Sequence, residues 1–211
     1  MTTDEHPPTR NQRRRAETRA RLLAAARKLF AAQGFEPTTI RDIAGDADTA
    51  LGSFYNYFRT KDEVLAALME ETLAEQLTLL ERRRRHVDDV AECVSIAHRH
   101  LLAAVNEDNE WGWLLVRLDV THEIIEHVFM ASAMGDLRKG IEAGRFDVAN
   151  PDVALQASGG ALHGVMHAAL RGLLSADYDS AHAEGILRSF GIAQAEAREI
   201  ARRPLPELSS P

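Results

Sequence analysis

Cysteine is almost absent from this sequence, since Cys93 is the single one among 211 residues. A lone cysteine excludes an intramolecular disulfide and any zinc site that needs several cysteines. It fits the reducing cytoplasm, where disulfides are rare. We therefore expect a cytoplasmic protein whose stability comes from packing rather than from covalent cross-links.

Long apolar runs and helix-breaking residues are scarce as well. The sequence has no run of 18 apolar residues, and its first residues lack the segments of a signal peptide. We expect a chain that neither spans a membrane nor is exported. Glycine and proline number only 13 and 7, β-branched residues are sparse, and alanine, leucine, glutamate and arginine recur. This composition predicts an all-α fold.

Positive charge is deficient overall, because the net charge at pH 7 is −7. The charges are unevenly distributed, however. Residues 10–61 hold 11 lysines and arginines against 5 acidic residues, whereas residues 62–211 hold 14 against 25. A basic N-terminal quarter joined to an acidic body is expected when only one end of a protein contacts phosphates. The distribution favours DNA as a partner.

The N-terminal segment is polar and basic. Residues 1–12 have two adjacent prolines and no apolar periodicity, so we expect a disordered tail there. The first helix with an apolar face is predicted from about Ala16 to Gln33. Nearby arginines form either an arm that contacts phosphates or the minor groove, or the solvated start of a helix. The sequence leaves both open for Arg13, Arg14, Arg15, Arg19 and Arg21.

A helix-turn-helix is predicted between Thr38 and Lys61. Thr39 and Asp42 are spaced as a capping box at the start of its first helix. A helix-turn-helix of this size places its second helix in the major groove of DNA. The apolar residues at helical spacing are Ile40, Ile43 and Ala44 before the turn and Leu51, Phe54, Tyr55 and Phe58 after it.

The same region resembles the N-terminal domain of the TetR family of transcriptional regulators, over about residues 14–68. Two positions depart from the family pattern. Asp48 replaces the usual turn glycine, and Ala50 replaces a serine that often caps the recognition helix, so the cap must move to Asp48 or Thr49 or be lost. The segments that carry the resemblance are Gly34-Phe35, residues 38–44 (TTIRDIA), residues 52–58 (GSFYNYF) and residues 61–65 (KDEVL).

The resemblance implies an N-terminal three-helix helix-turn-helix domain followed by a C-terminal helical ligand-binding and dimerisation domain. Asn150 and Pro151 supply a helix start within the second part, with asparagine as N-cap and proline at the first helical position. The predicted organisation is a tail at 1–12, a DNA-binding domain at 13–60, a connecting helix at 61–85, a ligand-binding and dimerisation domain at 86–203 and a tail at 204–211.

Eight residues are candidates for DNA binding. Arg41 can make bidentate hydrogen bonds to guanine, Ser53 can bond a base or a phosphate, and Leu51 can contact a thymine methyl. Gly52 permits close approach. The others stand where the family contacts phosphates, and their hydroxyl and ammonium groups suit that task, although core packing is an alternative for Tyr55. The set is Thr39, Arg41, Leu51, Gly52, Ser53, Tyr55, Tyr57 and Lys61.

The C-terminal domain of the family encloses a cavity for a small ligand, which implies an effector site here. Large aromatic and adaptable side chains would line it, and an ordinary core is the alternative for each of them. The candidates are Trp111, Trp113, Leu114, Arg117, Leu118, Phe129, Met130 and Met134. We expect a small apolar or aromatic ligand, and we expect no cofactor.

The segment from Pro151 to Leu174 is apolar around much of its circumference and rich in glycine. Such a helix needs more than one partner, so we predict a homodimer whose subunits pair as a four-helix arrangement. His163 and His167 have a spacing that can bind a metal, but core or interface histidines are favoured and no metal site is predicted. The predicted interface residues are Gly160, Gly164, His167 and Leu187.

These features together predict a homodimeric regulator that is released from a near-palindromic DNA operator by a small effector. Two alternatives belong to other functional classes. An all-helical enzyme is disfavoured because the sequence has no phosphate loop, nucleophile elbow or complete metal motif. A non-specific DNA-binding protein is disfavoured by the acidic body.

Overall fold

The chain folds into helices. The computed structural model describes residues 9–117 and 130–208, and within these ranges it contains ten α-helices and no β-strand. The predicted all-α fold is therefore confirmed. The helices are α1 (Arg10–Gln33), α2 (Ile40–Asp46), α3 (Leu51–Phe54), α4 (Lys61–Arg84), α5 (Val90–Glu107), α6 (Asn109–Arg117), α7 (Ala131–Glu142), α8 (Pro151–Leu170), α9 (Tyr178–Ser189) and α10 (Gln194–Arg202).

The chain divides into two compact units. The boundary between them lies between Leu68 and Met69, within α4. The first unit contains the predicted helix-turn-helix. Its buried apolar residues come from α1, α2, α3 and the first turns of α4, and they include Leu22, Leu23, Phe30, Ile43, Phe54, Val64 and Leu65.

Helix α1 begins at Arg10, six residues before the predicted start at Ala16. Thr9 caps it: its hydroxyl accepts from the Gln12 N–H at 3.3 Å, and the Gln12 side chain accepts from the Thr9 N–H at 2.7 Å. Residues 10–12 are therefore helical, and their assignment to a disordered tail was wrong. The error arose because apolar periodicity reports only the buried face of a helix, whereas the cap sets its start.

The turn of the helix-turn-helix uses the two unusual residues noted in the sequence. Asp48 adopts a positive φ of 48°, as the missing turn glycine would. Ala50 occupies the N-cap position of α3 and makes no side-chain capping bond, so the family's serine cap is lost rather than moved. The helix itself is short, and turns continue it to Phe58, whose N–H donates to the Phe54 carbonyl at 3.1 Å.

The second unit has two clusters of buried residues. Asp89 caps α5 by accepting from the Ala91 N–H at 3.0 Å. Asn150 caps α8 by accepting from the Val153 N–H at 3.1 Å, as predicted. One cluster includes Leu137, Phe146, Leu155, Ile186, Leu187, Phe190 and Ile200. The other includes Leu102, Val105, Trp111 and Met166.

Gly140 allows the closest approach in the first cluster. A Cβ atom at this position would lie 2.0 Å from Cδ2 of Phe146, so only glycine lets that ring lie against α7. The Phe146 ring in turn meets Phe190 edge-on, with 5.4 Å between the ring centroids. Outside this cluster, Arg145 forms ion pairs with Asp89 at 2.9 Å and Glu196 at 2.8 Å. The segment after α7 is thereby fixed to α10 and to the start of α5.

Candidate DNA interface and effector cavity

The outer surface of α2 and α3 presents most of the predicted DNA-binding residues. Arg41 and Gly52 are exposed, Leu51 is 39% exposed, and Ser53 is half-buried. Tyr55 is 53% exposed, so core packing does not describe it, and its ring meets Phe54 edge-on, at 5.6 Å between centroids. These side chains are therefore available to a partner molecule.

A basic cleft adjoins this surface. The Arg15 guanidinium lies 5.9 Å from the Tyr57 ring centroid, and its Nη2 is 3.5 Å from the Asn56 carbonyl oxygen. The arginines lie on the surface of a capped helix, which settles their conformation, while their contact with phosphates stays a prediction. Asn11 and Asn56 were not predicted, since neither shows periodicity or charge. The cleft is lined by Asn11, Arg14, Arg15, Thr18, Arg21, Asp48, Thr49, Ala50, Ser53, Asn56 and Tyr57.

Thr39 and Lys61 have structural partners inside the first unit. The Thr39 hydroxyl and N–H both donate to the Asp42 carboxylate, at 2.6 and 2.9 Å, and these bonds lower the pKa of Asp42. The Lys61 ammonium donates to the carbonyls of Phe35 and Glu36, at 2.6 and 3.2 Å. Both residues thus hold the helix-turn-helix together, and their contact with phosphates stays a prediction.

An apolar cavity of about 110 Å³ lies within the second unit. Its wall is formed by residues of α4, α5, α7 and α8, together with Met130 and Phe190. Apolar side chains predominate, and Arg84, His98, Ser132, Asp136 and Ser158 supply polar groups. The apolar lining comprises Leu77, Leu80, Val94, Ala97, Leu101, Met130, Ala133, Leu155, Gly159, Leu162 and Phe190.

The charge of Arg84 is compensated. Its Nη1 donates to Asp136 at 2.6 Å, and its Nη2 donates to Glu81 and, at 3.3 Å, to Ser132. Burial works against the charged form, but these bonds and the two carboxylates outweigh it and raise the pKa of Arg84. The cavity wall therefore carries a guanidinium that already has two anionic partners.

His98 provides another polar group of the wall, and it is paired with His182 behind it. His98 Nδ1 lies 3.0 Å from Nε2 of His182. Burial, and secondly the charge of His182, lowers the pKa of His98 to about 3, and burial lowers the pKa of His182 to about 4. Both imidazoles are consequently neutral at pH 7.

The predicted ligand-binding residues are dispersed. Met130 lines the cavity, while Met134 packs beside it on the first core cluster. Trp111 and Leu114 are buried, and Trp111 belongs to the second cluster. Trp113 lies edge-on to His167, at 5.9 Å between ring centroids. Leu118, Phe129 and the side chain of Arg117 lie outside the described residues.

The cavity's polar residues were missed by the sequence analysis. Neither Arg84 nor His98 is among the residues predicted to bind a ligand. The polar residues of the wall come from four helices and meet through the packing of those helices, which no local spacing reports. In the described part of the chain, no three His, Cys, Asp or Glu side chains are grouped so that they could hold a metal ion.

The predicted interface residues divide into two sets. Gly160, Gly164 and His167 are exposed on α8, and a Cβ at either glycine would meet open space. Leu187 is 0% exposed, because it packs in its own subunit's core cluster with Ile186. Its assignment to the interface is therefore corrected.

Among the described helices, none is long and apolar enough to cross a membrane.

Comparison with known proteins agrees with this architecture. Residues 22–68 match the family described as bacterial regulatory proteins, tetR family, and residues 89–203 match the tetracyclin repressor-like C-terminal domain. The crystal structure of RolR in complex with resorcinol is 34% identical, covering 93% of this chain and 99% of that one with a TM-score of 0.73.

Two curated relatives are regulators by name. YfiR of Bacillus subtilis, an HTH-type transcriptional regulator, is 25% identical over 150 residues, which is 63% of this chain and 69% of that protein. The HTH-type transcriptional repressor KstR2 of Mycolicibacterium smegmatis is 31% identical over 106 residues. That match covers 44% of this chain and half of the relative.

A helix-turn-helix unit and a helical unit that encloses a cavity define the class of DNA-binding transcriptional regulators with a ligand-binding domain. Within that class, the chain belongs to the TetR family. The resemblance noted in the sequence is thereby confirmed over both parts of the protein.

Proposed function

We propose that this protein is a repressor that binds a near-palindromic operator as a homodimer and is released by a small, neutral, hydroxylated aromatic compound. The observation that carries the proposal is the charge-compensated apolar cavity in a chain that also presents an exposed recognition helix. Neither feature alone distinguishes a sensor from a plain DNA-binding protein.

Operator recognition rests on the surface of α2 and α3. Arg41 and Ser53 read base edges, while Leu51 and Gly52 allow apolar contact and close approach in the major groove. Phosphates are contacted by Tyr55, Tyr57, Arg14 and Arg15. Thr39 and Lys61 add further phosphate contacts through the hydrogen-bonding positions that their bonds within the protein leave unused.

Two copies of this surface are needed for a palindromic site. On α8, the exposed face consists largely of small residues, namely Ala157, Gly160, Ala161 and Gly164, and α9 adds the exposed Gly185. Small residues let helices approach closely, which supports pairing of α8 and α9 with the same helices of a second subunit. The two recognition helices would then bind half-sites about 34–36 Å apart.

The size of the cavity limits the effector. An apolar cavity of about 150 Å³ can hold one benzene molecule. The volume of about 110 Å³ found here is smaller, so a single ring is the largest effector that we expect, and a long acyl chain is disfavoured.

The charges of the cavity narrow the effector further. A carboxylate ligand would find Arg84 already paired with Asp136 and Glu81, so it would be desolvated without gaining a free cation. A neutral hydroxyl group avoids that cost and can bond with Asp136, Ser132 or His98. RolR has been crystallised with resorcinol, a ring with two hydroxyl groups, which makes resorcinol the first compound to test.

Helix α4 provides the physical link for release. It begins at Lys61, beside the helix-turn-helix, and ends at Arg84, in the cavity wall. An effector that fits one arrangement of the cavity better than another shifts the population toward that arrangement. If that arrangement spaces the reading heads wrongly, operator affinity falls.

The test uses fluorescence anisotropy with the DNA upstream of the protein's own gene. We expect the affinity for this DNA to stay higher than the affinity for random DNA as the salt concentration rises. Addition of resorcinol should release the protein from it. Leu162→Trp, which fills the cavity, should abolish release and preserve operator binding. Leu173→Trp, at a 64% exposed position, is the matched control and should behave as the parent protein.

The outcomes separate the parts of the proposal. Equal retention of operator and random DNA would exclude a specific repressor. If the protein binds the operator specifically but resorcinol and related phenols do not release it, only the proposed effector class would be excluded. Chemical conversion of the bound compound would favour the enzyme alternative.

A further inference from the structure

His98, in the cavity wall, contacts His182, which lies behind the wall. His98 lies on α5 and lines the cavity, and His182 lies on α9. Besides the 3.0 Å contact between their nitrogens, the two rings have centroids 5.0 Å apart and planes tilted by 52°. His98 thus uses Nδ1 for His182, which leaves Nε2 as its remaining hydrogen-bonding atom.

An adjacent ion pair fixes the two helices that carry the histidines. Arg99 Nε lies 3.2 Å from Asp179 Oδ2, and these residues follow His98 by one position and precede His182 by three. Arg99 also donates through Nη1 to the Arg203 carbonyl at 2.6 Å. The histidine contact is therefore held by a structure that does not depend on a ligand.

The contact has two possible arrangements because each neutral imidazole carries one N–H. Burial keeps both rings neutral at pH 7, as their lowered pKa values indicate. If His98 Nδ1–H donates to His182, then His98 Nε2 is an acceptor. If His182 Nε2–H donates to His98, then His98 Nε2 carries the proton and is a donor.

We propose that His182 determines which hydrogen-bonding role His98 presents in the cavity, so that one site accepts both hydroxyl groups and acceptor-only oxygens of an effector. The inference rests on the proposed function in one respect, namely that the cavity binds the effector. His182 is then a positioning residue for specificity, and it acts through His98 without lining the cavity.

A metal site is the competing interpretation of two adjacent imidazoles. Zinc sites in proteins use at least three side-chain ligands. Asp179, which precedes His182 by one helical turn on α9, is engaged by Arg99, and no third ligand joins the two histidines within the described ranges. The geometry therefore favours a shared proton.

The test replaces His182 by two residues of matched length. His182→Glu places a carboxylate, which can only accept, opposite His98 Nδ1. This should fix the proton on Nδ1 and leave Nε2 as an acceptor. His182→Gln offers an amide that can donate or accept, so it should restore both arrangements.

The first readout is independent of any ligand. Long-range ¹H–¹⁵N spectra of histidine-labelled protein at pH 8 distinguish protonated from unprotonated ring nitrogens. We expect His98 in the parent protein and in His182→Gln to show both forms in exchange, and His182→Glu to show a single form with the proton on Nδ1. Identical His98 spectra in all three proteins would overturn the proposal.

The second readout uses phenol, which can donate, and its methyl ether anisole, which can only accept. Calorimetry should show that His182→Glu binds phenol as the parent protein does but loses about tenfold in anisole affinity. Equal losses for both probes would indicate a merely structural role and would overturn the proposal. If neither probe binds the parent protein, the proposed effector class fails, while the spectra still decide the role of His182.

Discussion

Arg84 and Asp136 form a 2.6 Å ion pair that lies between two concavities of the second unit. Both residues line the apolar cavity, and both also line an open cleft beside Cys93 and Lys139. Their side chains are only 14% and 15% exposed. The pair therefore forms part of the wall of both concavities, and we expect it to matter for stability.

Asp136→Ala should lower the free energy of unfolding by about 2–3 kcal/mol, because it removes a charged hydrogen-bond partner from a largely buried guanidinium. Urea denaturation measures this. Glu81→Ala removes the other partner of Arg84, but that carboxylate is 62% exposed, so the loss should stay below about 1 kcal/mol. Equal losses in the two variants would contradict a larger contribution from the less exposed carboxylate, that of Asp136.

Gly140→Ala should lower the free energy of unfolding by about 2–3 kcal/mol, since the new methyl group displaces the Phe146 ring. Gly135→Ala is the matched control on the same helix. Nothing lies within 4 Å of its new Cβ, so the higher helix propensity of alanine should raise stability by up to about 1 kcal/mol. Thermal unfolding of both variants measures these changes. A neutral Gly140→Ala would contradict the close contact between the Phe146 ring and α7.

The two helices of the helix-turn-helix should respond oppositely to changes at their N-caps. Thr39→Ala removes the capping box with Asp42 and should cost about 1 kcal/mol. Ala50→Ser introduces the missing cap on α3 and should add about 0.5–1 kcal/mol. Ala50→Val, which has no acceptor, is the control. A gain from valine as large as that from serine would argue against capping as the cause.

Acid should destabilise the second unit through the histidine pair. Unfolded histidines bind protons near pH 6.5, whereas His98 and His182 have folded pKa values of about 3 and 4. The unfolded chain thus holds more protons between pH 6.5 and 4, so stability falls as pH drops through that range. The slope should reach about 1.4 kcal/mol per pH unit for each histidine.

Urea midpoints at several pH values measure that slope. His182→Gln should reduce the slope, because it removes one of the buried histidines whose pKa is lowered, a set that also includes His100. His86→Gln, at an exposed position, is the control and should keep the parent slope. The carboxylates of Asp42 and Asp89 have pKa values lowered from 3.8, so their contribution is lost only at lower pH. A pH-independent midpoint between 6.5 and 5 would contradict the buried, neutral pair.

Local signals predicted the helix starts well. Thr39 with Asp42 and Asn150 with Val153 each form caps whose partners are three residues apart, so the sequence contains the whole interaction. The start of α1 was missed although Thr9 and Gln12 are also three apart. Its first turns carry no buried face, and apolar periodicity was used to place the helix.

The cavity could not be predicted in the same way. His98 meets His182 across 84 positions, and Arg84 meets Asp136 across 52. Such contacts depend on how the helices pack, which no periodicity encodes. Bulky aromatic residues were predicted to line the cavity, yet Trp111 packs in a core cluster. The helix-turn-helix was easier to predict because its candidate DNA-binding residues lie within 23 consecutive positions, 39–61.

The capped start of α1 changes what DNA binding requires of the protein. A flexible arm loses conformational entropy when it settles on a duplex, and that loss weakens association. Arg13, Arg14 and Arg15 are already ordered on a helix before any DNA is present. If these arginines contact operator phosphates as proposed, fraying of the Thr9–Gln12 turn would weaken that binding, even though neither capping residue needs to touch the DNA.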